Sequence, residues 1–244
     1  MSSTELSGDL EPTQVYCSLN SSLALLRAKV SDASDELYAW GSTFNGILGQ
    51  GFDDTTKLVE ASPTKIEFPQ EEEKLRIRQV SVGDYHAALI TSTRELFCWG
   101  SNLKGQLGTE DTENRLRPCK VQYDNDIASS KSVTLVSCGA SFTFVVTDQN
   151  QIKVSGQLPF TVILDQALGE QDFVPTFQSI AQFDQRVKIL QIESSRFASI
   201  VVDPRDDEQT KELFFWGRSP VGIFHELTAL NQLFENSTSK DSTC

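Results

Sequence analysis

The chain has 244 residues, enough for about four units of a repeat, and carries a net charge of −13 from 21 Lys and Arg against 34 Asp and Glu. Binding to a phosphate backbone requires clustered basic residues, so this balance argues against nucleic acid as a partner and favours a basic or mixed-charge protein. The five cysteines form no CxxC pair, and the sequence lacks a Gly-Lys-Ser/Thr phosphate loop and a Gly-x-Ser-x-Gly motif. We therefore predict no metal, no cofactor and no hydrolytic catalysis.

The N-terminal residues 1–12 are rich in Ser, Thr, Glu and Asp, a composition that predicts disorder. They lack the basic start and apolar core of a signal peptide, and no membrane span is visible in the sequence. We expect reduced thiols and a location in the cytoplasm, the nucleus or both.

Two stretches of the chain, 36–49 and 95–108, are identical at eight of fourteen positions without a gap. Each begins as a strand whose two faces are both apolar, ends in Trp-Gly and continues into a Gly-x-Leu-Gly loop, which is typical of a central strand buried between neighbouring sheets. Fainter copies end at Gly156 and Gly217, so the four glycines are spaced by 59, 56 and 61 residues. The repeat residues of these copies are Trp40, Gly41, Trp99, Gly100, Gly105, Gly108, Trp216 and Gly217.

A second block precedes each Trp-Gly strand, at 79–91 and again at 135–147. Each block predicts a strand, a turn at Gly83 or Gly139, and a second strand, followed by a polar turn into the Trp-Gly strand. That makes three strands per unit, and a fourth is expected after Pro63 and Pro118, over 64–68 and 119–123. The repeated supersecondary unit predicts blades of a propeller.

The units extend over about 13–68, 77–123, 133–183 and 187–217. In the third unit the pattern is lost after Gly156, and an irregular connection with a short helix at 164–169 is expected. The final region, 218–244, is predicted to be a helix-like cap and a polar tail. Its apolar residues recur at helical spacing: Val221, Phe224, Leu227, Leu230 and Phe234.

These motifs resemble the repeat of the regulator of chromosome condensation family, most strongly over residues 36–147. Members of that family form β-propellers, usually of seven blades. The resemblance implies an all-β fold, with degenerate half-repeats at 13–35 and 187–217. In these, Ser18 and Glu193 would replace the turn glycine, and Ser21 and Arg196 would replace His86.

The resemblance also implies a candidate binding site at Asp84, Tyr85 and His86. In the family's exchange factor for a small GTPase, an Asp in a Gly-Asp-x-His turn lies on the GTPase-binding face, and 83–86 matches that turn. The structural alternatives are a turn aspartate bonded to its own backbone and a histidine that ties backbone segments together. Two functions follow: a protein-binding adaptor or regulatory module, and a guanine-nucleotide exchange factor.

The number of units predicts that the chain does not close a seven-bladed ring. We expect an open arc of four blades, with a closed four-bladed ring as the alternative. An open arc leaves a sheet edge that invites association with another chain.

Overall fold

The computed structural model of the protein describes residues 9–31, 33–51, 58–69, 74–122, 132–157, 173–180, 187–195, 197–204, 212–219 and 222–229. They form four antiparallel sheets, each of four strands in chain order. Blades 1 and 2 contain β1 (Leu10–Cys17), β2 (Ser21–Ala28), β3 (Glu36–Ser42), β4 (Val59–Lys65), β5 (Ile77–Val82), β6 (His86–Thr91), β7 (Leu96–Gly100) and β8 (Arg115–Lys120). Blades 3 and 4 contain β9 (Val133–Cys138), β10 (Phe142–Thr147), β11 (Ile152–Gln157), β12 (Phe173–Ser179), β13 (Val187–Ser194), β14 (Phe197–Pro204), β15 (Glu212–Ser219) and β16 (Gly222–Ala229). A short 3-10 turn, Phe44–Gly46, follows β3.

The blades stand side by side, and the first strands β1, β5, β9 and β13 are neighbours in that order. Both central strands of blade 2, β6 and β7, are buried along their whole length. Alternate side chains face opposite neighbours: Leu89, Phe97 and Trp99 pack with blade 1, whereas Ile90 and Cys98 pack with blade 3. The absence of a polar face in this strand pair therefore results from a sheet being packed on each side.

In blades 1, 2 and 3 the third strand ends in a glycine that lies against the turn between the first two strands of its own blade. In blade 2, Ser101 donates its N–H to the carbonyl of Tyr85 at 2.9 Å, and Gly100 has φ +101°. A Cβ at Gly100 would lie 2.6 Å from that carbonyl oxygen, so only glycine fits this backbone. Gly41 and Gly156 make the same approach to Asn20 and Ser141.

The loops after the Trp-Gly strands β3 and β7 reach the next blade. From the loop of blade 1, Ile47 accepts a hydrogen bond from Trp99 Nε1 at 2.8 Å. Gly51 of the same loop donates to the carbonyl of Leu116 in β8 at 2.7 Å. One repeat later, Glu110 donates to the carbonyl of Pro175 in β12 at 3.0 Å. The Gly-x-Leu-Gly loops thus connect blade 1 to the outer strand of blade 2, and blade 2 to the outer strand of blade 3.

A buried carboxylate joins blades 1 and 2 at the opposite end of the sheets. Asp35 has no exposed side-chain surface and lies 3.2 Å from both Arg27 Nη1 and Arg76 Nη1. Its two oxygens also accept the N–H groups of Ala28 at 3.0 Å and Ile77 at 2.9 Å. Hydrogen bonds from both blades compensate the desolvation of this charge.

The predicted propeller-like fold of about four units is confirmed, and each described sheet has four strands. The fourth strands begin earlier than predicted, since Pro63 lies inside β4 and Pro118 inside β8 rather than before them. Pro175 likewise lies inside β12, in a region predicted to be irregular. Proline is tolerated there because these strands are outer strands, with one ladder only. The helix predicted at 164–169 lies outside the described residues.

Three further expectations need correction. The disorder predicted for 1–12 is wrong from Leu10 onward, where β1 begins and pairs with β2; residues 1–8 lie outside the described part. The C-terminal helix is wrong over Gly222–Ala229, which form β16 and pair with β15 because the fourth sheet needs an outer strand. Phe197, and not the preceding Arg196, pairs with Gly217 as His86 pairs with Gly100.

The strands of blades 1 and 4 do not pair with each other within the described part of the chain. There, β1 pairs only with β2, and β16 pairs only with β15. The open-arc expectation agrees with this topology, and Trp40 supports it. Although it matches Trp99, Trp40 is only half-buried, contrary to the predicted coverage on both faces.

Replacement of Trp99 by Ala should lower the free energy of unfolding by about 3–5 kcal/mol, because it leaves a cavity in a fully buried site and removes the bond to Ile47. Urea unfolding measures this loss. The matched control is Trp40→Ala, which should cost clearly less at low protein concentration because Trp40 is partly exposed. Equal losses for the two variants would contradict the assigned packing.

Candidate functional site

The predicted residues Asp84, Tyr85 and His86 lie in and beside the turn between β5 and β6. Because the strands alternate in direction, this turn shares one end of the blades with the Gly-x-Leu-Gly loops, and we call that end the loop face. The turn closes through the N–H of Gly83, which bonds the carbonyl of His86 at 2.8 Å. A bond of 3.4 Å from the Asp84 N–H to the Gly139 carbonyl ties it to blade 3. The backbone of this turn is therefore fixed by one bond within blade 2 and one bond to blade 3.

Gly83 permits this close approach between blades 2 and 3. A Cβ at Gly83 would lie 2.2 Å from the carbonyl oxygen of Gly139. The same contact recurs one repeat later, where Ala140 donates its N–H to the carbonyl of Ser195 at 3.1 Å. Ser195 thus takes the turn-glycine position in blade 4, two residues after the predicted Glu193.

His86 is fully buried and does not reach the surface. Its Nε2 lies 2.9 Å from Thr143 Oγ1 in blade 3. Because Thr143 donates its own hydroxyl to the carbonyl of Gln106 at 2.7 Å, it accepts the Nε2–H of His86, which defines the tautomer. Ser155 donates to the same carbonyl at 3.1 Å. The histidine therefore joins blades 2 and 3 through a side-chain hydroxyl, and not by bonding backbone segments directly.

Asp84 and Tyr85 instead line an open groove of about 730 Å³ between blades 1 and 2. Blade 1 contributes Phe44, Leu58 and Val59, whose side chains are 59%, 68% and 58% exposed. Phe44 and Tyr85 meet edge to face with ring centroids 6.3 Å apart. The groove thus combines an exposed apolar wall with a carboxylate, a composition suited to binding a peptide segment.

The apolar wall is the part of this site that sequence reasoning missed. Phe44 aligns with Leu103 in the matched loop of blade 2, and both are exposed, at 59% and 61%. Large apolar residues at a matched loop position, beyond the buried strand, are the signal that could have identified it. Leu58 and Val59 carry no such signal, because the pairing of β4 with β3 brings them to the groove that Asp84 lines.

The buried thiols offer no nucleophile. Burial raises the pKa of Cys138 to about 12 and raises that of Cys98 well above its ordinary value. Among the described residues, no group of three or more His, Cys, Asp or Glu is placed to hold a metal ion. In the same part of the chain, no helix is long and apolar enough to cross a membrane.

Comparison with known families identifies the repeat. The model of the regulator of chromosome condensation (RCC1) repeat matches residues 34–90 and 95–146, and a second model of the same repeat matches 77–106. The ultraviolet-B receptor UVR8 of Arabidopsis thaliana is 34% identical over 122 residues, which is 50% of this chain and 25% of the receptor. The chain thus spans about a quarter of that relative.

Solved structures support the propeller fold over a longer part of the chain. Human WBSCR16 superposes with a TM-score of 0.68 at 18% identity, covering 91% of this chain and 53% of that protein. Prp20p from Saccharomyces cerevisiae, described with its binding to Gsp1p and histones, gives a TM-score of 0.64 at 19% identity over 91% of this chain and 52% of its own. The four blades therefore correspond to about half of each solved protein.

Burial of His86 predicts a specific pH dependence of stability. Burial lowers the pKa of His86 from 6.5 to about 4, so below pH 6.5 the unfolded chain binds a proton that the folded chain does not. Stability should fall as the pH drops from 6.5 to 4, by about 3 kcal/mol in total. Urea unfolding across this range, compared with His86→Gln, isolates the effect from carboxylate titration. If the variant and the parent lose the same stability, His86 is not the group responsible.

Proposed function

Because the chain belongs to the regulator of chromosome condensation repeat family, we propose that it is a protein-binding regulatory module whose partner docks in the groove beside Asp84 and Tyr85. The observation that carries this proposal is the exposed apolar wall of Phe44, Leu58 and Val59 next to a carboxylate. Apolar patches of this kind on a folded protein mark interaction sites.

The charge of the chain indicates the chemistry of the partner. A net charge of −13 repels acidic proteins and nucleic acid and attracts basic proteins. The groove therefore suits a segment with an apolar anchor for the Phe44–Tyr85 wall and a Lys or Arg beside Asp84. The binding of histones described for Prp20p is consistent with a basic partner.

Site-specific cross-linking tests the groove. A photoreactive amino acid in place of Tyr85 should form an adduct with a basic protein in extracts of the source cells. The same group in place of Ser92, an exposed residue in the turn between β6 and β7 at the far end of the blade, should not. The Tyr85 adduct should be lost in Asp84→Lys, which reverses the charge at the groove. Equal labelling from both positions would reject the groove as the docking site.

Salt dependence provides a second measurement on the captured partner. If the acidic surface steers a basic protein, the association rate should fall steeply between 0.1 M and 1 M salt, because the Debye length shrinks from about 10 Å to about 3 Å. Stopped-flow mixing measures this rate. A rate independent of salt would exclude electrostatic steering, and tight binding to DNA at physiological salt would contradict a protein partner.

The alternative function is nucleotide exchange on a small GTPase. It is favoured by Asp84, which is partly exposed in a Gly-Asp-Tyr-His turn and is held by the backbone bond to Gly139. Release of a fluorescent GDP analogue from a panel of small GTPases tests it. The parent chain should accelerate GDP release from one GTPase of the panel, and Asp84→Asn should accelerate it much less. If no GTPase of the panel responds, the exchange function is rejected and the protein-binding module is the function that stands.

A further inference from the structure

A second groove, of about 490 Å³, lies at the end of the blades opposite the loop face and extends across blades 2, 3 and 4. Three cations line it, Arg78, Arg94 and Lys188, together with one carboxylate, Asp148. We call it the basic groove. Its local excess of positive charge contrasts with the net charge of −13 of the whole chain.

The basic groove is built on a bulge that recurs in the first strand of each blade. One residue of each first strand is skipped in the ladder with the second strand, and the skipped residues occupy matched positions: Thr13, Arg78, Thr134 and Leu190. A bulge changes the direction of a side chain relative to the ladder. In blades 2, 3 and 4 the bulged residue lines the groove.

At the bulge of blades 1 and 3 a threonine bonds its own sheet. Thr13 Oγ1 donates to the carbonyl of Leu25 at 3.3 Å, and Thr134 Oγ1 donates to the carbonyl of Val146 at 3.0 Å. Arg78 takes this position in blade 2, where it makes no hydrogen bond or ion pair with any residue that the structure describes. Its exposed side chain is therefore available to a ligand.

A second matched position differs in blade 2 as well, just ahead of the third strand. In blade 1, Asp35 accepts the N–H of Ile77 at 2.9 Å and so joins its blade to the next. In blade 3, Asn150 does the same for the N–H of Ile189 at 2.8 Å. Blade 2 has Arg94 here, and because a guanidinium has no acceptor atom this bond cannot form.

The backbone at this second position also favours another residue. Arg94 has φ +66° and Asn150 has φ +62°. Asn is several-fold enriched in this left-handed region, whereas most other residues with a side chain are uncommon there. Local stability therefore favours Asn at position 94, and the arginine needs another explanation.

Most cations of the described sheets are paired with a carboxylate of this chain. The paired residues are Arg27, Lys65, Arg76, Arg115 and Lys120. Arg78 and Arg94 have no such partner within the described ranges. Blade 2 thus replaces two bonds of the repeat with two arginines, and both arginines line the same groove.

We propose that the basic groove binds an acidic segment of a partner protein, with carboxylates of the segment on Arg78 and Arg94. A guanidinium binds a carboxylate through two parallel hydrogen bonds, which suits it to this task. Leu135 and Leu190 line the same groove and are partly exposed, so apolar side chains of the segment find a contact there.

The acidity of the whole chain limits the ligand to a short segment. At physiological ionic strength, exposed charges more than about 8 Å apart are largely screened. A short segment in the groove therefore responds mainly to the cations beside it. A nucleic acid strand would extend beyond the groove over an acidic surface, so this polyanion is disfavoured.

Binding of a fluorescein-labelled peptide of alternating Glu and Leu, followed by fluorescence anisotropy, tests the proposal. The parent chain should bind this peptide and should not bind the same peptide with Gln in place of Glu. Asp148→Asn should bind the acidic peptide more tightly, because it removes the carboxylate from the groove. Equal binding of the Glu and Gln peptides would contradict pairing with carboxylates.

The informative variants restore the residues of the other blades. Arg78→Thr and Arg94→Asn should each weaken peptide binding about fivefold, as expected for the loss of one exposed ion pair. The double variant should weaken it more than tenfold. Urea unfolding of the double variant should show a stability equal to or above that of the parent, because both new residues can form the bonds seen in blades 1 and 3. Lost binding with an intact fold excludes a purely structural role for the arginines.

Two controls locate the effect. Arg117→Gln removes an exposed cation from the outer strand β8 and should leave peptide binding unchanged. Asp84→Lys, which alters the groove on the loop face, should also leave it unchanged, so failure of either proposal is recognised separately. A parent chain that does not bind the acidic peptide, a double variant that binds it as tightly as the parent, or tighter binding to single-stranded DNA would overturn the proposal.

Discussion

Packing of one blade on the next is the interaction on which this structure depends. A sheet with two apolar faces has no side that it can turn to water, so each inner blade exists only between two others. The central strands β6 and β7 are buried throughout because blades 1 and 3 cover them. Where that cover is missing, as at Trp40, the equivalent residue is left partly exposed. Stability is therefore shared between neighbouring blades.

Polar groups determine how the blades align. Apolar contacts alone would let one blade slide over the next. The buried Asp35 accepts hydrogen bonds from both blades 1 and 2, and these bonds can form at only one alignment of the two blades. His86, Thr143 and Gln106 perform the same task between blades 2 and 3. Such groups contribute specificity more than net stability, because much of their interaction energy offsets desolvation.

The rigid turn is what makes the loop face suitable for recognition. The backbone carbonyl of Tyr85 accepts the N–H of Ser101, and the backbone N–H of Asp84 donates to the carbonyl of Gly139. The backbone of the proposed site is therefore fixed before a partner binds. A preorganised site loses less conformational entropy on binding. The buried His86 fixes this turn to blade 3 and has a structural role. The binding role is proposed for Asp84 and Tyr85.

The sequence by itself determined the repeat, the first three strands of each blade and the burial of Trp99 on the central strand β7. These features follow from local pattern: apolar faces of period two, Gly at backbones that exclude a Cβ, and matched spacing between Gly41, Gly100 and Gly156. It also placed Asp84 in an exposed turn. Short-range rules suffice for such features because neighbouring residues in one hairpin decide them.

Only the tertiary structure decided the features that depend on a neighbouring sheet. The helical spacing of apolar residues after Gly217 gave way to β16, since pairing with β15 outweighs a local preference. The outer strands β4 and β12 include Pro63 and Pro175, because an outer strand pairs with only one neighbouring strand. Leu58 came beside Asp84, and Trp40 remained half-covered while Trp99 was enclosed. These features share one physical reason. Contacts between residues far apart in the chain decide which sheets and loops pack together, and local sequence patterns do not encode those contacts.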